Sequence, residues 1–140
     1  MSISTVKAAL AETLAGVTGL TSIYTTAPAN LDNAELPALV IFAGAGQWQR
    51  TGLNQPMVEE RRTYLLNLYV QAVQAGAYGE AEAAVEPFLS RIPAALGLAP
   101  RLGETSVLLA TLTADKGISV MPYGGVEYLG VEFTVEVEMV

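Results

Sequence analysis

The sequence predicts a single α+β domain over residues 1–140. It is a mostly antiparallel sheet with two helices packed on one face, in the order α-β-β-β-α-β-β, with long loops projecting from the sheet. Three observations carry this. Apolar residues recur at three- and four-residue steps near the N-terminus and again over 77–96, the period of a helix with one buried face. They alternate over 61–73 and 126–139, the period of a strand covered on one side. Clusters of Gly, Pro, Asn and Asp separate these runs and mark turns.

Ser2 or Ser4 is placed to cap the first helix, whose stripe is Ile3, Val6, Leu10, Leu14 and Val17. Gly16 and Gly19 end it, because glycine takes the left-handed cap conformation without a steric penalty. Leu20 to Thr25 is rich in strand formers and reads as a first edge strand. Pro28, Asn30, Asp32 and Asn33 make Ala27 to Leu36 a loop. Ala38 to Ala43 is apolar at both parities, as a strand covered on both faces or paired centrally is. Gly44 to Val58, interrupted by Gly44, Gly46, Gly52, Asn54 and Pro56, reads as a long flexible excursion, in part an extended hairpin.

Arg61 to Val73 puts Tyr64, Leu66, Leu68, Val70 and Ala72 on one face and Arg61, Thr63, Asn67, Tyr69 and Gln71 on the other. The second helix has the stripe Tyr78, Ala81, Val85, Phe88, Ile92 and Leu96. Pro87 and Pro93 interrupt it without changing its phase, which predicts a kinked helix or two short collinear ones, stopped by Gly97 and Pro100. Thr105 to Ala114 is a strand with Leu108, Ala110 and Leu112 facing one way and Val107 and Leu109 the other. Asp115 to Gly125 reads as a second long turn region. The last strand, Val126 to Met139, sets Leu129, Val131, Phe133, Val135, Val137 and Met139 against Tyr128, Gly130, Glu132, Thr134, Glu136 and Glu138. Its glutamates would discourage unwanted pairing if it were an edge. The helices cover one sheet face, and the other is left bare and polar.

Composition narrows the chemistry. There is no Cys and no His, which removes disulfides, thiolate nucleophiles, Ser-His-Asp triads and the usual zinc sites. A net charge of −7 is a poor match for phosphate backbones, so no nucleic-acid clamp is expected. No unbroken apolar run is long enough for a membrane span, and the first residues lack the basic-then-apolar order of a signal peptide. Hydrophobic residues make up 51% and charged residues 15%, below the roughly 25% of an average protein. Part of the surface is therefore expected to be covered by other chains, copies of itself first.

Gly44-Ala45-Gly46 follows a strand but lacks the third glycine and the helix of a dinucleotide-binding turn, and is read as a hinge into the loop. Glu132, Glu136 and Glu138 line one strand face. Acidic residues there are more often solvation than chemistry, so no catalytic, cofactor or metal residue is assigned. A small carboxylate-dependent enzyme or oxygen-ligand metal binder using Glu132 and Glu136 is the alternative. Trp48, the one tryptophan, either folds back onto the core or anchors an interface. Arg50, Met57, Met121 and Tyr123 share the two excursions with it, and this set is the expected partner interface.

The element order, with Ile23-Tyr24-Thr25, the strand opened by Leu36-Pro37, the alternating Tyr64 to Val70, the Ala/Glu-rich helix Ala81 to Leu96 and the closing Tyr128 to Val135, resembles the tail terminator (tail completion, minor tail protein U-like) proteins of long-tailed bacteriophages. The resemblance spans nearly the whole chain, through element order and size rather than residue motifs. It implies a structural virion protein, assembled in the host cytoplasm. Such a protein forms a hexameric ring that caps the tail tube and meets the head–tail connector. DNA passes through its lumen without specific binding, and the family has no catalytic residues to transfer. An acidic face of Glu132, Glu136 and Glu138 would suit such a lumen. A neck or head-closure protein is the neighbouring alternative.

Overall fold

The computed structural model describes residues 2–50, 52, 58–73 and 78–140. In chain order the elements are α1 (Ile3–Leu14), β1 (Ser22–Tyr24), a short 3-10 helix (Asn33–Glu35), β2 (Ala38–Arg50), β3 (Val58–Ala72), α2 (Tyr78–Val85), α3 (Phe88–Gly97), β4 (Val107–Asp115), β5 (Ser119–Tyr123) and β6 (Val126–Met139). They form an α+β fold with helices packed on a six-stranded sheet of order β1-β2-β3-β6-β4, with β5 also on β6. Among the described residues only β1 and β2 pair in parallel; the other pairs are antiparallel.

The last strand is not an edge. One side of β6 pairs with β3 from Ala72↔Tyr128 to Glu60↔Met139. Its other side is shared by β5, over Val126 to Gly130, and β4, over Phe133 to Met139. Its apolar parity, Leu129 to Met139, is buried with Leu39, Ile41, Tyr64, Leu66 and Leu68. The helices close that face with Val6, Leu10 and Leu14 from α1, Val85 from α2, and Phe88, Ile92 and Leu96 from α3. Each large side chain so buried stabilises the fold by about 1.5–3 kcal/mol.

The helix ends follow local chemistry. Ser2 Oγ accepts the Thr5 amide at 3.2 Å, so Ser2 rather than Ser4 is the cap. At the other end Ala15 stays right-handed, and of the two glycines only Gly19 takes positive φ, at 90°. The second predicted helix is two, parted by a turn at Glu86 and Pro87. Its stripe holds phase from Ala81 to Leu96 with Pro93 inside α3; the Tyr78 side chain lies outside the described residues.

Both predicted excursions turn out to contain strand. Gly44 to Val58 is not a loop from its start, because β2 runs on to Arg50 and pairs with β3 as far as Arg50↔Val58. Gly44-Ala45-Gly46 is a β-bulge rather than a hinge. A Cβ on Gly44 would stand 2.9 Å from the Thr63 carbonyl oxygen, and one on Gly46 2.7 Å from the Arg62 guanidinium. Asp115 to Gly125 contains β5, which returns to β6 through Gly124 and Gly125, at φ 59° and 82°. Positive φ at both central residues marks a type I′ hairpin turn. In β4, irregular pairing between Val107 and Leu109 breaks the predicted alternation. Val107, Ala110 and Leu112 join the core, and Leu108 and Leu109 are exposed.

The polar sheet face is not bare throughout. At one end Leu31, Ala38, Val40, Tyr69 and Tyr128 form a second buried cluster. Tyr128 donates to the Leu31 carbonyl at 3.1 Å, holding the 25–36 loop over the sheet. The register shift between Tyr69 and Gln71 on β3 lies beside Gly130, and a Cβ there would overlap the Leu68 carbonyl. Gly130→Ala therefore lowers stability in chemical denaturation by about 3 kcal/mol. Gly79→Ala, on a helix with open space around the new methyl, raises it by about 0.5–1 kcal/mol.

Candidate functional site

The bulge in β2 sets the phase of everything beyond it. Ala43 lies opposite buried Tyr64, and after the extra residue Gly46 lies opposite Arg62, Trp48 opposite Glu60 and Arg50 opposite Val58. Directly opposed residues share a sheet face, so Trp48, Arg50 and Val58 stand on the helix-bearing face. The row through Trp48 continues across Glu60 and Met139 to Val107 at the far edge. Met139 and Val107 are buried, whereas Trp48 is 63% exposed. Trp48 thus does not fold back onto the core. Arg50 is exposed beside it, and Met57 lies outside the described residues.

A polar plug separates this hairpin from the core. Arg62 Nε donates to Glu60 Oε1 at 2.7 Å, and Nη1 donates to the Gly44 carbonyl at 3.0 Å. Glu60 is only 7% exposed. A charge buried this deeply costs several kcal/mol unless paired, so the missing side chain of Gly46, which makes room for Arg62, is part of the same device. Below it the Tyr64 hydroxyl is buried and finds no hydrogen-bond partner among the described residues. Burial, reinforced by the Glu60 carboxylate, pushes the Tyr64 phenol up to about 12.

Met121 and Tyr123 are not on a free arm with Trp48. They lie on β5 and pack against the second cluster. Tyr123 meets Tyr69 edge-on with ring centroids 5.2 Å apart, and its hydroxyl donates to the Pro28 carbonyl. The Gly124–Gly125 turn causes this, because it returns the segment along β6 and leaves its side chains against Tyr69 and Tyr128.

Glu132, Glu136 and Glu138 do share the face away from the helices, opposite Asn67, Thr63 and Arg61. Lys116 Nζ is 2.6 Å from Glu132 Oε2, and Arg61 Nε is 3.2 Å from Glu138 Oε1. Glu136, between Thr63 and Thr111, has no cation within ion-pair distance among the described residues. Alternate strand positions are about 7 Å apart, so the three carboxylates spread along β6 instead of converging. Among the described residues no group of three or more Asp or Glu is placed to hold a metal ion. No described helix is long and apolar enough to cross a membrane.

One surface went unread in the sequence. A groove of about 480 Å³ runs between the end of α1 and the segment joining α3 to β4, lined by Ala95, Leu98 and Leu102 together with Glu12 and Glu104. Leu98 is 87% exposed. Its position just past a predicted helix end was the only available signal.

No family model matches the chain, and no curated protein matches it.

Trp48→Ala changes unfolding free energy by no more than about 0.5 kcal/mol in chemical denaturation, because the indole contributes little to the core. Tyr64→Phe removes an unpartnered hydroxyl and raises stability by about 1 kcal/mol. It also reduces alkaline sensitivity. The phenol's folded pKa lies above its unfolded value of about 10. Between pH 10 and about 12 the unfolded chain therefore loses its proton first and stability falls. Denaturation at pH 8 and pH 11 should show a smaller loss in Tyr64→Phe than in the parent. The remaining loss reflects Tyr69 and Tyr123, both raised by burial, and Tyr24, raised by its hydrogen bond to Glu35.

Proposed function

We propose that this chain is a structural, ring-forming protein of a long-tailed bacteriophage tail, a tail-terminator-like subunit that caps the tail tube and faces the head–tail connector. The observation that carries the reading is the placement of unsatisfied surface. Beyond Val40, β2 has no strand on its outer side, and β4 has none on its outer side, among the described residues. Unpaired edges template pairing with another chain. Apolar side chains accompany both edges: Trp48 and Val58 at one, Leu108 and Leu109 at the other. Interface of this kind on opposite edges is heterologous and closes into a ring when the rotation between copies permits.

The polar face fits a lumen. It carries Thr63, Thr134 and Glu136 between the paired Glu132 and Glu138. Six copies of a chain with net charge −7 surround that lumen with negative potential, which lets a phosphate backbone pass without adhering. The dispersed, partly paired carboxylates favour this role over acid–base chemistry, which needs two convergent groups.

Native mass spectrometry from micromolar to several hundred micromolar protein, with negative-stain imaging, tests the reading. The expected result is a hexamer with a central hole at the higher concentrations. A monomer at every concentration contradicts it.

A further inference from the structure

The hairpin around Trp48 and the groove around Leu98 both carry exposed apolar side chains and bear opposite charges. We infer that the Trp48 hairpin of one copy seats in the Leu98 groove of the next, making this the contact that closes the ring; the inference rests on the ring reading above. The hairpin presents an exposed indole, the apolar Val58 and the cation of Arg50 on one face. The groove is lined by the apolar Ala95, Leu98 and Leu102 together with Glu12 and Glu104, and Leu98 is exposed on it. Among the described residues neither Glu12 nor Glu104 has a cation within ion-pair distance, and Arg101, close in sequence to Glu104, donates to the Val107 and Thr105 carbonyls. The two carboxylates therefore offer a site for a positive charge from outside.

Position makes the occupant a second copy. Trp48, Glu60, Met139 and Val107 form one row across the sheet, with Trp48 at the β2 edge and Val107 at the β4 edge. Glu104 is tied to the start of β4, its carbonyl accepting the Val107 amide at 3.2 Å. Hairpin and groove thus lie on opposite edges, at one level along the strands, and on the same helix-bearing side. A rotation about an axis parallel to the strands brings the hairpin of one copy to the groove of another without a climb. That is the condition for a closed ring rather than a helical filament. Tryptophan and arginine are also among the residues enriched in interface hot spots.

The test uses the parent, Trp48→Ala and Leu98→Asp, alone and mixed, by native mass spectrometry across concentration, with thermal melting to verify that each variant is folded. The parent should assemble, and each variant alone should need at least tenfold more protein to do so. An equimolar mixture should give a heterodimer of one Trp48→Ala chain and one Leu98→Asp chain. The first retains a groove and the second a hairpin, so one sound contact forms and no ring closes. Variants that assemble like the parent, or a mixture that behaves as two independent components, overturn the contact and leave the ring reading standing. A parent that stays monomeric overturns both.

Discussion

Strand β6 can be buried only because its backbone is paired on both sides. Like β3, which lies between β2 and β6, it has partners along nearly its whole length: β3 on one side, β4 and β5 end to end on the other. A buried backbone amide or carbonyl without a partner costs as much as a lost hydrogen bond, and pairing on both sides leaves no such group beside Leu129, Val131, Phe133, Val135 and Val137, all at zero exposure. The helices then need only cover one face. Gly130 is the point where this arrangement is tightest, because the neighbouring backbone of β3 occupies the space a side chain would take.

What the centre satisfies, the periphery leaves open. With β6 saturated, the unpaired backbone moves outward to β2 and β4. Neither edge is guarded by a lysine along its strand, and β4 carries two exposed leucines instead. The charge the chain does possess is used locally: Arg62 on Glu60 and Gly44, Arg61 on Glu138, Lys116 on Glu132, Arg101 on backbone carbonyls. Little remains to solvate the edges, which is the structural counterpart of a charged fraction of 15%. Assembly with copies of the same chain is the economical answer to that deficit.

Elements with one uninterrupted period could be read directly. The α1 stripe from Val6 to Val17, the α2–α3 stripe from Ala81 to Leu96 and the alternation of β6 are present at the residues the sequence indicates, whereas Ile3, in the first turn of α1, is exposed. Readability failed where a strand changes phase. A bulge shifts every later side chain to the other face, and the one between Ala43 and Gly46 decides that Trp48 rather than Gln47 shares the helix side. Nothing local to Trp48 encodes this, because it depends on how close Thr63 and Arg62 approach two glycines from the next strand. β5 was more accessible than it looked. Gly124–Gly125 between Tyr123 and Val126 is a hairpin signal, masked by Pro122 and the earlier Gly117. That Met121 and Tyr123 pack inward required knowing that β3 shifts register at Tyr69 to present that ring. The acidic face was legible in β6 alone, but its cations were not, since Arg61 and Lys116 arrive from other segments.

The central claim is that β6 completes the fold of one copy while β2 and the Leu98 groove wait for another. Amide hydrogen exchange on the parent protein, followed from dilute to concentrated solution, tests this most directly. The account predicts slow exchange in Leu129 to Val137 at every concentration, and protection of Ala43 to Arg50 and Leu98 to Glu104 that rises with concentration above the level their pairing within one copy provides. Protection of those outer segments that stays the same from dilute to concentrated solution would contradict it.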